Sequence, residues 1–470
     1  MMKRLTSALL LAGVLTGCSL APTYQRPEAP IATAFPADPG QGAAAASTTG
    51  WREFFPDQRL QALITAALDN NRDLRIAALR IEEARAQYNI QSADLLPTFN
   101  AGVSGTRART AAGVSPLGVS TVGTAYQVGL SLASFELDFF GRVRSLNDAS
   151  LAQFLATEEA ARSARISLIA EVAKAYLAER AFAEQYDLAR QTFESRQTAY
   201  KLAQQRFEVG ASSALDLRQN ETLVQTARAS LATLARQRAQ AANALTLLVG
   251  RPLNDLPPPS SLSEQNIVTD IPSGLPSELL TRRPDIRGAE QRLLASNANI
   301  GAARAAFFPR ISLTAGIGTA SSELSGLFET GSRTWSFAPS LVLPIFDAGR
   351  NSANLDIAQV RKNVAVADYE KTIQTAFREV SDALVARATL EEQIDAQRAV
   401  QEAQAERLKL ADQRYQAGVS SSLDVLDAQR ELFSAQQSLV QARLLRLTNA
   451  IDLYRSLGGG LNEVTVAQTK

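Results

Sequence analysis

The chain has 470 residues, 48 of them basic and 47 acidic, with no histidine and a single cysteine. This balance argues against nucleic acid as a partner, since a phosphate-binding surface needs a basic excess, although a local basic patch stays open. The missing histidine removes the commonest general base and metal ligand, and one cysteine permits neither an intrachain disulfide nor a thiolate cluster. Serine–lysine or carboxylate chemistry stays open in principle, but no motif for either occurs. The chain is therefore read as not an enzyme, with no structural metal.

In chain order, residues 1–17 come first. Lys3 and Arg4 precede the apolar run LTSALLLAGVL, and LTGC ends at Cys18. The run is too short to span a bilayer as a stable helix and reads as a secretory leader. Removing Lys3 and Arg4 with it turns the formal charge of +1 into −1. LTGC resembles the bacterial lipobox. That resemblance implies lipidation at Cys18, with an S-diacylglycerol and an N-palmitoyl chain, and no other cofactor is expected. An incidental free cysteine is the alternative, but an unpaired exposed thiol is a liability in an oxidising periplasm. Lipoproteins kept at the inner membrane usually carry Asp after the cysteine, so Ser19 favours the outer membrane.

Residues 27–50 are rich in Pro, Ala and Gly and are expected to be extended. A helical run of 26 residues follows from about Asn71 to Leu96. From Arg142 to Val209 there are 68 residues without Gly or Pro, and after Gly210 come 39 more, to Val249. Residues 278–306, then 68 clean residues from Arg350 to Ala417 and 39 from Val419 to Leu457, repeat the pattern. Good helix formers fill these runs, with apolar residues at spacings of three and four, as at Leu168, Val172, Ala175 and Tyr176, then Ala183 and Tyr186. A helix of that length is roughly 100 Å long and survives by packing along its length as a coiled coil. The Ala-rich stripe suits close antiparallel neighbours. The 39- and 26-residue helices together nearly match the rod. The rod is thus expected to run to a tip at Gly210, the 39-residue helix to return partway, and the earlier helix to cover the rest.

The chain also repeats residue by residue. LAQQRFEVGASSALDL from Leu202 and LADQRYQAGVSSSLDV from Leu410 match at nine of sixteen positions, at an offset of 208. Gly141-Arg142 and Gly349-Arg350 share the offset. The expected division is a signal peptide at 1–17, a lipidated extended segment at 18–56, a first repeat at 57–249, an equatorial linker at 250–277, a second repeat at 278–457 and a tail at 458–470.

Four strands are expected at about 99–110, 124–139, 310–321 and 333–346. They are rich in Ser, Thr, Gly and β-branched or aromatic residues. Large apolar residues alternate with small or polar ones from Tyr126, from Ile311 and from Trp335, and the parity slips near Ser134 as at a bulge. One apolar and one polar face is what a barrel wall between lipid and water requires. Four strands cannot close a transmembrane barrel, for which about eight are the minimum in one chain, so three chains are expected to supply twelve. No apolar run of 18 or more follows the leader, so any membrane crossing is by strands. A soluble four-stranded sheet is the alternative, and it leaves the apolar stripes of the rods uncovered.

With RRPDI at 282–286, GAARAAFFP at 301–309, VLDAQR at 425–430 and the duplicated unit, the chain resembles the TolC-like outer-membrane factor family, in its OprM-like lipoprotein branch. The resemblance covers essentially the whole mature chain. It implies an α+β membrane protein: a homotrimer with a 12-stranded transmembrane β-barrel in outer-membrane lipid and a periplasmic α-barrel of long coiled-coil helices. It implies the exit duct of a tripartite multidrug efflux system. The partners would be a periplasmic adaptor (membrane fusion protein) and an inner-membrane pump of the resistance-nodulation-division type.

The turns at Gly210 and Gly418 are candidate hairpin tips. Each glycine is followed by serines suited to an N-cap and by an aspartate, Asp216 or Asp424, in the first helical turn. Capping and the helix dipole account for both aspartates as readily as a channel role does. Asp427 is harder to assign to capping, and its repeat counterpart is Gln219. Leu423, Asp427 and Arg430 share one helical face, with Asp424 beside it. In a trimer each becomes a ring of three, and carboxylate rings favour cations. The resemblance places the periplasmic constriction at Leu423, Asp424, Asp427 and Arg430, with cation block at Asp424 and Asp427. It places a gating network at Asp216, Arg414 and Tyr415. The family's arginine is absent at Ser420, which shifts weight to Arg414 and Leu423. Surface and packing roles in a coiled coil are the alternative for Arg414 and Tyr415.

A periplasmic adaptor and a coiled-coil scaffold lipoprotein are the competing functions. An adaptor carries one hairpin between lipoyl-like and small barrel segments, whereas here two equal hairpins alternate with strands. A scaffold leaves the strands unexplained.

Overall fold

A computed structural model describes residues 19–35, 49–115, 118–254, 256–269 and 276–465. The elements are α1 (Trp51–Phe54), α2 (Gln58–Asn70), α3 (Arg72–Ala93), β1 (Phe99–Thr110), β2 (Thr121–Glu136), α4 (Arg142–Glu208) and α5 (Ala214–Val249). After the proline-rich stretch come α6 (Pro276–Arg282), α7 (Pro284–Ala305), β3 (Arg310–Ser321), β4 (Arg333–Val342), α8 (Arg350–Gln416) and α9 (Ser422–Ser456). The chain is mostly helical with one four-stranded sheet.

The clean runs become α4 and α8, each of 67 residues, and α5 and α9, of 36 and 35. Both returning helices start three residues later than the runs do, because the residues after each glycine form the turn and the N-cap. The strands also differ from expectation at their ends. β2 lies at 121–136 rather than 124–139, and β4 stops at Val342. The reasons are local. Asp138 leaves the strand to accept the Arg144 amide (2.9 Å) at the start of α4, and Pro344 lacks an amide hydrogen to extend β4. α1 interrupts the segment expected to be extended, and α6 begins inside the expected linker.

The chain divides into two compact units. One comprises Met1–Glu28, Arg80–Glu158 and Gly288–Glu370, and the other Ala29–Leu79, Glu159–Arg287 and Lys371–Lys470. The first holds the sheet. All its pairings are antiparallel, in the order β1-β2-β3-β4. The register slips between Leu132 and Phe135, where the parity of the sequence slips. Cross-strand partners separate the faces. Phe99 lies opposite Leu132, Leu130 opposite Ile317, and Ile317 opposite Trp335, so these share one face. The other face carries Ser104 opposite Gln127, Ser131 opposite Gly316 and Gly316 opposite Ser336. On that face Gly129 opposes Gly318, and a Cβ added to Gly318 would lie 2.2 Å from the Val128 carbonyl oxygen. Glycine there is a consequence of backbone approach. β1 and β4 are edge strands exposed along their whole length.

In the same unit, α4 and α7 pack through Ala149, Ala152, Ala295 and Ala298, with Leu294 against them. Small side chains let two helix backbones approach closely. In the second unit, Trp51, Phe54 and Phe55 are buried, and Phe54 stacks on Tyr454 of α9 at 4.0 Å. The Trp51 amide donates to Asn462 (3.0 Å), so the tail packs beside α1. Asp57 caps α2 through the Leu60 amide (2.9 Å), and its other oxygen accepts from Tyr176 of α4 (3.1 Å) and Gln265 (2.7 Å). Burial alone would raise the pKa of this carboxyl, but these hydrogen bonds outweigh it and hold it below the usual range.

Apolar surface remains uncovered. α3 has no buried residue, and Ile76, Leu79 and Ile90 on it are exposed, as are Val360 and Val364 on α8. Among the described residues, no helix is long and apolar enough to cross a membrane.

Candidate functional site

The two helical turns are built alike. α4 ends on Gly210 at φ 74° and α8 on Gly418 at φ 72°, the left-handed region that favours glycine. The Ala211 amide donates to the Arg206 carbonyl (2.7 Å) and the Gly210 amide to Phe207 (3.0 Å). At the second turn Val419 donates to Arg414 (2.9 Å) and Gly418 to Tyr415 (3.0 Å). This paired closure satisfies carbonyls that a helix end leaves open.

The returning helices start with serine caps. Ser213 Oγ accepts from the Asp216 amide (3.1 Å), while Asp216 accepts from the Ser213 amide (3.3 Å) and hydroxyl (2.7 Å). Asp424 likewise accepts from the Ser421 amide (3.2 Å) and hydroxyl (3.3 Å). Both first-turn aspartates therefore have a capping role in their own helices. The Ser213 hydroxyl, with help from its amide and from Ser422, holds the Asp216 carboxyl below its ordinary range against slight burial.

Two bonds join the turns. Arg206 Nη1 donates to Tyr415 Oη at 2.8 Å, and Ser422 Oγ donates to Asp216 Oδ1 at 3.4 Å. Within the chain, Tyr415 thus meets Arg206 rather than Asp216. Among the described residues, no hydrogen bond or ion pair joins Arg414 or Tyr415 to Asp216. Arg414 instead lines an open groove of about 600 Å³ with Glu406, Arg407, Leu410, Ser420 and Asp424. Arg206 was not singled out from sequence, yet a signal for it existed: at the offset of 208 it is the counterpart of Arg414.

Further along α9, Asp427 accepts from Arg430 (3.3 Å), which also reaches Glu431 (3.3 Å). Leu423 is exposed on the same face. The four residues expected at a constriction are therefore contiguous on the first turns of one helix, three of them carrying charge. No group of three or more metal-ligating side chains occurs among the described residues.

Cys18 lies outside the described residues. The segment after it is held to α7. Arg304 donates to the Leu20 carbonyl (3.2 Å) and Asn297 to the Pro22 carbonyl (2.7 Å). Tyr24 (3.0 Å) and Arg26 (2.8 Å, from two nitrogens) bond Glu290. Burial and then the Glu290 carboxylate push the Tyr24 phenol well above its ordinary value. Gly301 makes room, since a Cβ there would come within 2.8 Å of the Ala21 amide. The segment therefore runs antiparallel to α7, its first residues toward the end that leads into β3.

Comparison with known proteins identifies the family and the fold. The family model "Outer membrane efflux protein" matches residues 63–251 and 275–459. The chain is 51% identical over 459 residues to the outer membrane protein OprJ of Pseudomonas aeruginosa, covering 97% of this chain and 96% of that one. It is 48% identical over 471 residues to the toluene efflux pump outer membrane protein TtgC of Pseudomonas putida, covering 99% and 97%. Its fold matches the open state of the MtrE outer membrane channel of Neisseria gonorrhoeae with a TM-score of 0.88 at 43% identity, over 96% of this chain and all of that one. Two matched segments, each made of helices and a strand pair, set aside the adaptor and scaffold readings. The chain belongs to the outer membrane efflux protein family.

Proposed function

We propose that three copies of this chain form a passive duct that carries small molecules outward through the outer membrane. One observation carries the reading. The sheet has an apolar face, a polar face and two fully exposed edge strands, which is a barrel wall awaiting its neighbours. Three four-stranded sheets give a twelve-stranded barrel, above the minimum for closure. The exposed apolar residues on α3 and α8 support helix packing between copies as a periplasmic α-barrel. The paired runs at an offset of 208 support descent of the two halves from one duplicated unit.

In this reading Cys18 carries the lipid, and the strap of residues 20–26 along α7 supports an anchor at the β3 end. The turns at Gly210 and Gly418 lie at the periplasmic entrance. Leu423, Asp424, Asp427 and Arg430 form the constriction there, and Asp216, Arg414 and Tyr415 restrain it together with Arg206. The partners are a periplasmic adaptor and an inner-membrane pump of the resistance-nodulation-division type, and drugs or solvents are the cargo. The family match and the efflux-pump relatives such as TtgC support an efflux role.

The test is direct. Protein extracted in detergent with its anchor is expected to have the mass of a trimer and to conduct ions in planar bilayers. A non-conducting monomer under those conditions refutes the duct.

A further inference from the structure

The four strands contain arginine but no lysine. Arg310, at the helix end of β3, is paired with Glu136 (2.6 Å). The other three lie at the opposite end of the sheet, beside the loops: Arg107 and Arg109 near the end of β1, and Arg333 at the start of β4. Among the described residues, no ion pair forms at any of these three, and Arg109 Nε donates to the Ser120 hydroxyl (2.8 Å).

Strand pairing fixes the side they stand on. Arg107 lies opposite Thr124 and Gly105 opposite Tyr126, while Arg333 lies opposite Thr319, which faces Val128 on its other side. Side chains alternate along a strand, so all three arginines share the apolar face with Val103, Tyr126 and Trp335. The Tyr126 ring covers Gly105, where a Cβ would lie 3.2 Å from it, and Trp335 is 80% exposed. At the loop end of β2 and β3 this face carries only Val122, Thr124, Thr319 and Ser321, without charge. An exposed apolar band therefore ends in unpaired guanidiniums, and these are confined to the two edge strands. A cation on a lipid-facing wall is costly at the membrane midplane and tolerated at headgroup level. There a guanidinium fork can bind two oxygens of one phosphate, which suits arginine rather than lysine.

We propose that each seam between two copies of this chain binds a bisphosphorylated glycolipid of the lipid A class, its phosphates held by Arg333 of one copy and by Arg107 and Arg109 of the next. The inference rests on the duct reading. With the strands in the order β1-β2-β3-β4, closing a barrel sets β4 of one copy beside β1 of the next, at a strand spacing of about 4.8 Å. The arginines of the two edges then meet on the lipid side, and neither copy holds the site alone. The helices lie at the other end of the sheet, on the periplasmic side in that reading, so the arginines face the outer leaflet. The lipid thus ties neighbouring copies together from outside the wall.

The test uses the full-length protein as a trimer in detergent, stripped of lipid and titrated with bisphosphorylated lipid A, with the same lipid after removal of its phosphates, and with phosphatidylglycerol. Native mass spectrometry counts the bound molecules. Up to three of the bisphosphorylated lipid should bind per trimer, and the dephosphorylated lipid should bind at least about tenfold more weakly. Arg333→Gln alone and Arg107→Gln with Arg109→Gln should each weaken binding by about tenfold, because each removes one side of the same seam. Equal binding of the two forms of lipid A by the unaltered trimer overturns the proposal, and this comparison decides if the variants do not assemble. Affinities within about twofold of the unaltered trimer in both variants overturn it as well. Phosphatidylglycerol bound as tightly as the bisphosphorylated lipid, and lost in the same variants, overturns the glycolipid assignment. A chain that stays monomeric and does not conduct is a different result, which refutes the duct itself.

Discussion

Tyr415→Phe isolates the shorter of the two bonds that join the helical turns. The substitution removes one oxygen and leaves the ring, so packing is kept while the 2.8 Å bond from Arg206 is lost. A hydrogen bond to a charged group contributes about 1.5–3 kcal/mol when sheltered, but this one is exposed to solvent, and screening reduces it to about 0.5–1 kcal/mol. In a trimer the three bonds sum to about 1.5–3 kcal/mol, and at roughly 1.4 kcal/mol per tenfold the open-to-closed ratio should rise about tenfold to a hundredfold. Single-channel recording in planar bilayers reads this as open probability or a larger conductance state. Arg206→Met should match Tyr415→Phe, and the double variant should exceed neither, because both remove the same interaction. An open probability within a factor of about two of the unaltered channel, in both single variants, refutes the restraint.

Three further outcomes are expected. Replacing Asp424 and Asp427 together by alanine should abolish block by divalent or trivalent cations in the same recordings, and persistent block places the cation site elsewhere. Gly318→Ala should destabilise the sheet by about 1–3 kcal/mol, since its Cβ would lie 2.2 Å from the Val128 oxygen; Gly418→Ala should cost only about 1 kcal/mol, because the backbone conformation is the sole obstacle there. Thermal melts in detergent distinguish the two, and equal losses contradict the argument. The Asp57 carboxyl has a folded pKa below its unfolded value, so its stabilisation is present above about pH 3.9 and is lost as pH falls through the lower folded value. Asp57→Asn should melt at a lower temperature at pH 7 and show a shallower decline on acidification below about pH 4, and parallel curves refute this role.

Much of the molecule was legible from local chemistry. A helix is maintained by bonds four residues apart, so composition and the spacing of Gly and Pro sufficed to place α4 and α8 to within a residue. Turn chemistry is equally local, and Gly-x-Ser-Ser identified both the left-handed glycines and the capping serines. Period-two alternation separated the two faces of the sheet, and its slip marked the bulge before Phe135. What the sequence left undecided depends on packing between elements. Tyr415 and Arg206 are 209 residues apart, and the choice of Arg206 over Asp216 follows from how two helical hairpins meet side by side. The burial of Arg196 is of the same kind: in sequence it is one arginine among many on a polar helix, and only packing between helices leaves it 5% exposed, with a single long bond to the Leu223 carbonyl of α5. Local bonds determined the parts of this protein, and burial, which is a property of the assembled helices, decided which charges matter.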